Sequence, residues 1–204
     1  LLENFLAVWR RWQNWRRAVR QAFGGWHGGQ IIITVNTVRQ KRMATIIKGV
    51  TLNCPIATEK PVARQNIDTI IEFFSLYLQD KEKFYSLWCD EEPEVVTPFT
   101  SNDIAVCTIA VHKGWDAIKK FWDPIFDDFT GTFNWFIDEF IPGEDSNTIV
   151  TRSNSQIDVQ AGGSWGNKHI KYNGRYVQIF RFRDGKVSSF EEYYDTALLN
   201  SQYG

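Results

Sequence analysis

Hydrophobic residues recur along this chain in two rhythms. From 61 to 129 they fall three and four residues apart, and after Gly131 they alternate. The first rhythm is that of helices and the second that of strands. Pro61 suits a first helical turn, and Val62, Ile67, Ile70, Ile71, Phe74 and Leu78 continue one face to about Gln79. Asp80 can cap a second, short helix over 81–88, with Phe84, Leu87 and Trp88 inward. Two short strands are expected at 94–99 and 105–111, where β-branched and apolar residues cluster. Gly114 opens a third helix over 115–129, which Pro124 should kink or split.

The alternating region predicts strands at 132–141, 148–160, 173–183 and 187–195, separated by Pro142-Gly143, Ala161-Gly162-Gly163 and the hairpin turn Arg183-Asp184-Gly185-Lys186. Residues 43–60 read as an irregular arm broken by Pro55, and 196–204 as a tail. Helices followed by a meander predict an α+β fold: three N-terminal helices packed on one side of a curved antiparallel sheet. A chain of 204 residues is long enough for one such domain with an appendage.

Charge separates the appendage from the domain. The chain carries 23 basic and 24 acidic residues, a net charge of −1, which argues against nucleic-acid binding by electrostatics. Eight of the basic residues and only Glu3 of the acids fall in 1–42, together with Trp9, Trp12, Trp15 and Trp26. The boundary coincides with Met43, the one methionine. Three readings stand for 1–42. Translation starts at Met43, and the upstream stretch is not native. Alternatively the stretch is a basic, Trp-rich helix that touches a membrane surface or a partner, although Arg16 and Arg20 interrupt its apolar stripe. The third reading is a targeting peptide, which would be expected to contain serine, and none occurs before Ser75. No apolar run reaches the ~20 residues of a spanning helix.

Cys54, Cys89 and Cys107 are odd in number and widely spaced, which disfavours a disulfide framework and suits a reducing, cytoplasmic setting. His27, His112 and His169 show no metal-ligand spacing, so no metal is expected. There is no GxGxxG and no Walker loop, and no cofactor is expected.

Local motifs add a resemblance. The segments 80–88 (DKEKFYSLW), 114–121 (GWDAIKKF), 174–178 (GRYVQ), 183–187 (RDGKV) and 191–195 (EEYYD) follow one another as in the nuclear transport factor 2-like superfamily. Over 61–200 the chain resembles its SnoaL-like polyketide cyclases, ketosteroid isomerases, limonene epoxide hydrolase and phenazine-biosynthesis A/B proteins. The resemblance implies a cone-shaped α+β barrel around an apolar cavity, a homodimer through the sheet and a small hydrophobic ligand. The aromatic content of 15% fits such a cavity.

Glu192 is the leading candidate for chemistry. Phe190, Glu192 and Tyr194 share a strand face, and related enzymes place an acid facing the cavity at the matching position. An apolar surround disfavours the charged carboxylate and raises its pKa toward the range useful for proton transfer. A one-residue slip would turn Glu191 inward instead. Asp138 is the second candidate, sharing a face with Phe136 and Phe140; in the other register Glu139 points inward beside Trp135 and Ile137. Arg152 and Asn154 share a face of the next strand, where the epoxide hydrolase has Arg-x-Asp; Asn cannot act as an acid. Trp122, Tyr176 and His112 complete the expected lining and rim, with Tyr77 and His169 as further polar possibilities. Two departures from the family stand out. Glu94 and Val96 replace the Tyr-x-Asn that positions water in the epoxide hydrolase, and Phe121 stands where the phenazine proteins carry a histidine.

Two classes of function remain. One is a cofactor-free enzyme moving protons on a hydrophobic carbonyl compound, by isomerisation, cyclisation or dehydration. The other is a non-catalytic ligand-binding or dimerisation module of the same fold.

Overall fold

The computed structural model describes residues 44–98 and 109–203. The readings made for 1–42, and most of the strand expected at 105–111, lie outside the described residues. The elements run β1 (Thr45–Ile47), β2 (Val50–Leu52), α1 (Pro61–Leu76), α2 (Lys81–Ser86), β3 (Glu94–Thr97), β4 (Ala110–Lys113), α3 (Trp115–Asp127), β5 (Gly131–Pro142), β6 (Thr148–Val159), β7 (Ile170–Tyr172), β8 (Arg175–Arg183), β9 (Lys186–Tyr194) and α4 (Thr196–Tyr203). The fold is α+β.

The strands form one sheet in the order β1-β2-β5-β6-β8-β9-β3-β4, with β7 alongside β6. Pairing is antiparallel except for β2 with β5 and β3 with β9. Among the described residues the first and last strands of this order do not pair, so the sheet they form is open, where the resemblance implied a barrel. Residues 43–60, read as an irregular arm, contain the β1–β2 hairpin, which extends the sheet beyond β5. Its three-residue strands are too short to show alternation in the sequence.

Helix α1 begins with Pro61 and buries Ala63, Ile67, Ile70, Ile71, Phe73 and Phe74 against the sheet. Asp80 caps α2 by accepting a hydrogen bond from the Lys83 backbone N–H at 3.0 Å. Asp80→Ala is expected to cost about 1 kcal/mol of stability in urea unfolding. Helix α3 runs through Pro124 as one element, so Pro124 does not split it. Pro124 and Lys120, whose carbonyl loses its intrahelical donor there, both lie at the surface, so water can satisfy that carbonyl.

Two positions control which side chains face inward on the closing hairpin. Asp184 (φ 51°) and Gly185 (φ 75°) form the two-residue turn between β8 and β9, as the sequence predicted. Just beyond it, Phe182 pairs with Val187 while Arg181 pairs with Ser189, so Ser188 is an extra, bulged residue. Val187 is buried, and strict alternation from it would place Glu191 inward. The bulge moves the inward set to Phe190, Glu192 and Tyr194.

A second bulge lies at Asp138 in β5, where pairing with β6 shifts between Ile137 and Glu139. Trp135 and Ile137 are buried before it, Phe140 packs on the core after it, and Glu139 is exposed. No single alternation spans that strand. The expected tail 196–204 is largely α4: Asp195 Oδ1 accepts from the Leu198 backbone N–H at 2.8 Å, capping the helix.

Candidate functional site

The inner face of the sheet, with α1 and α3 across from it, encloses a cavity of about 170 Å³. Its walls are mostly aromatic. Phe73 and Phe74 come from α1, Phe121 and Trp122 from α3, and Phe133 and Trp135 from β5. The loop after β6 adds Trp165, whose indole N–H donates to the Ile125 carbonyl of α3 at 3.0 Å. Leu199 of α4 also lines the cavity.

Strand β9 contributes Phe190, Glu192 and Tyr194 to this lining, and β8 contributes Tyr176. Together with Trp122 and Tyr77, these are the residues the sequence singled out that the fold brings together. Glu192 is the only carboxylate among the described residues lining the cavity. Burial pushes its pKa up from 4.5 to about 7, opposed in part by a hydrogen bond from Gln178 Nε2 to Glu192 Oε2 at 3.1 Å. Glu191, the alternative in the shifted register, lies on the other face, 3.4 Å from Arg181.

A polar stripe crosses the inner face beside Glu192. Thr151 Oγ1 and Ser153 Oγ donate to Gln178 Oε1 at 2.6 and 2.9 Å. Ser155 Oγ and Tyr176 OH are hydrogen-bonded at 2.8 Å. Burial, and next the nearby Glu192 charge, push the Tyr176 phenol far above its ordinary pKa, so it remains a neutral hydroxyl. Sequence reasoning missed Thr151, Ser153, Ser155 and Gln178. The signal was present: three hydroxyl residues alternate along β6, and one amide interrupts the apolar set Tyr176, Phe180 and Phe182 of β8. The polar pair of β6 that stands out in the sequence is instead Arg152 and Asn154.

Those two residues lie on the opposite face of the sheet. Asn154 pairs with Phe136 and Arg175 in the ladders, whereas its buried neighbour Ser153 pairs with Ile137 and Tyr176. Asp138 accepts hydrogen bonds from Asn53 Nδ2 at 2.8 Å and Asn154 Nδ2 at 2.6 Å, which holds it on that outer face. Arg152 lies 3.4 Å from Glu139 there. The expected assistance of Glu192 by Asp138 or Arg152 is therefore corrected: the sheet separates them, because β6 alternates strictly and β5 bulges at Asp138. Phe136 shares the outer face and does not line the cavity.

His112 is also absent from the lining. It stacks on Phe121, with ring centroids 4.4 Å apart, and burial holds its pKa below the ordinary value. His169 meets Asp158 at the surface, 2.5 Å away. Among the described residues, no group of three His, Cys, Asp or Glu side chains could hold a metal ion. No described helix is long and apolar enough to cross a membrane.

No family model matches the chain, and no curated protein matches it. Solved structures do. A phenazine biosynthesis-related protein of Pseudomonas aeruginosa superposes with a TM-score of 0.58 at 16% identity, over 73% of this chain and 88% of that one. A protein of a Jannaschia species named as a SnoaL-like polyketide cyclase gives 0.57 at 14% identity, over 72% and 96% of the two chains. A Bacillus subtilis protein named as an isomerase gives 0.56 at 16%, over 71% and 96%. The chain has the nuclear transport factor 2-like fold. At these identities the likeness shows the fold alone, and the fold hosts many functions.

Proposed function

We propose that this chain binds a small, mostly apolar carbonyl compound beside Glu192 and uses that carboxyl to move a proton on it. The observation that carries this reading is the position of Glu192: one carboxyl, in an aromatic cavity, with a pKa near 7. At neutral pH both its acid and base forms are populated, the condition for efficient proton transfer in either direction. The carboxylate takes a proton from the carbon next to the carbonyl, and the C–H electron pair moves into an enolate. The resulting acid returns a proton to carbon. Isomerisation, aldol-type cyclisation and dehydration all begin with such a step. The solved relatives named as a cyclase and an isomerase suit this class of reaction.

Size narrows the ligand. An apolar cavity of about 150 Å³ holds a benzene ring, so one of about 170 Å³ suits a single-ring compound. In this reading the curved sheet and its helices form a cone around the ligand. A second copy packs on the outer sheet face, where Val177 and Tyr193 are exposed.

The test is deuterium exchange in D2O with cyclohexenone and related single-ring ketones as probes, read by proton NMR. Wild type is expected to speed exchange next to the carbonyl by about 100-fold or more over buffer, and Glu192→Gln to abolish the acceleration. Equal exchange in both proteins would overturn the assignment. A second reading, a non-catalytic ligand-binding module, is favoured by one observation: Asp138 and Arg152 lie on the other face, so that among the described residues no second carboxylate lines the cavity with Glu192. Binding of these ketones with no exchange in wild type would support that module.

A further inference from the structure

Gln178 is fully buried in the middle of the inner face and pairs directly with Glu192 across β8 and β9. An amide can turn either its oxygen or its nitrogen toward a neighbour, and its other partners decide which. Here Thr151 Oγ1 and Ser153 Oγ both donate to the amide oxygen, at 2.6 and 2.9 Å, and so occupy its two lone pairs. The NH2 group is left facing Glu192, 3.1 Å from Oε2. That hydrogen bond engages Oε2 and not Oε1.

We propose that Gln178 is a positioning residue, anchored by Thr151 and Ser153, that engages Glu192 Oε2 as an acceptor and so reserves Oε1 for the ligand. The proposal rests on Glu192 being the proton-transfer group and adds how that group is aimed. In neutral Glu192 the carbonyl oxygen is the better acceptor for the amide N–H, so the hydrogen bond to Oε2 favours the proton on Oε1. The same oxygen therefore donates when the carboxyl acts as an acid and accepts when it acts as a base. One hydrogen bond fixes the carboxyl plane, and two hydroxyls on a neighbouring strand fix the amide.

The arrangement has a consequence that needs no substrate to observe. A hydrogen bond donated to a carboxylate stabilises its charged form, so removing the donor moves its titration upward. The test uses the full chain labelled with carbon-13 at glutamate side-chain carboxyls, titrated by NMR, with Glu192→Gln assigning the resonance. Gln178→Met keeps the volume and removes the donor, and is expected to move the Glu192 midpoint up by about one pH unit. Thr151→Val with Ser153→Ala leaves the amide in place but unanchored, and is expected to move the midpoint in the same direction by a smaller amount. An unchanged midpoint in folded Gln178→Met overturns the proposal. If that variant does not fold, an unchanged midpoint in the double variant overturns it. A wild-type midpoint near 4.5 would instead contradict the proton-transfer reading, while the shift between wild type and variants would still decide the role of Gln178.

Discussion

Glu192→Gln is expected to make the folded chain more stable than wild type at pH 8 while leaving the two alike near pH 4. The sign follows from where the proton sits. In the fold Glu192 holds its proton to about pH 7; unfolded, it releases it near its ordinary value of 4.5. Between those values the folded state binds more protons, so wild-type stability falls as pH rises through the window. That gap corresponds to about 3 kcal/mol, and the loss is complete once pH passes the folded value. Glutamine does not titrate, so the variant lacks this slope. Urea unfolding at half-unit steps from pH 4 to pH 8.5 reads the difference directly. Parallel curves for the two proteins would mean that Glu192 is solvated.

Phe73→Ala is expected to be the most damaging single substitution in the core, at about 3–5 kcal/mol. Phe73 projects from α1 into a cluster of rings that joins every layer of the fold. It meets Phe84 and Trp88 from the segment after α1, Trp122 from α3, and Phe180 and Phe190 from the sheet, at centroid distances of 4.7 to 6.3 Å. Truncation leaves a void with no single neighbour able to fill it. Against a typical total of about 5–15 kcal/mol, the loss brings the domain close to unfolding. Thermal melting checks it, with Val62→Ala at an exposed position of α1 as the reference, expected to change stability by less than about 1 kcal/mol. A similar effect in both variants would contradict the packing described for α1 on the sheet.

The long elements were legible because each has one face in the core. The α1 stripe, the third helix and the last two long strands follow their periods to within a few residues of the observed bounds. The closing hairpin was legible for a different reason: Asp184-Gly185 is a turn signal with a steric cause. What escaped was short or irregular. Strands β1, β2 and β7 have three residues each, too few for a period. Helix α4 has no strong apolar stripe, and its capping residue Asp195 was read as the end of a strand.

The candidate site shows the same division. The sequence groups Phe190, Glu192 and Tyr194 on one face of β9 and all three line the cavity, yet alternation alone could not have secured this, because the Ser188 bulge selects Glu192 over Glu191. Asp138 was misread because a bulge falls on that residue and reverses the alternation it was judged by. Gln178, Thr151 and Ser153 were visible as polar residues in inward positions. Their meaning depended on strand register across β6, β8 and β9, which no single strand carries.

Burial in the aromatic cavity is expected to hold Glu192 near the midpoint of its titration at neutral pH. Carbon-13 NMR titration of that carboxyl in the full wild-type chain measures this without knowledge of the ligand. The expected midpoint is near 7, moving further upward when Gln178 is replaced by Met. A midpoint near 4.5 would place the carboxyl in water and contradict both the cavity geometry around it and its use as an acid at neutral pH.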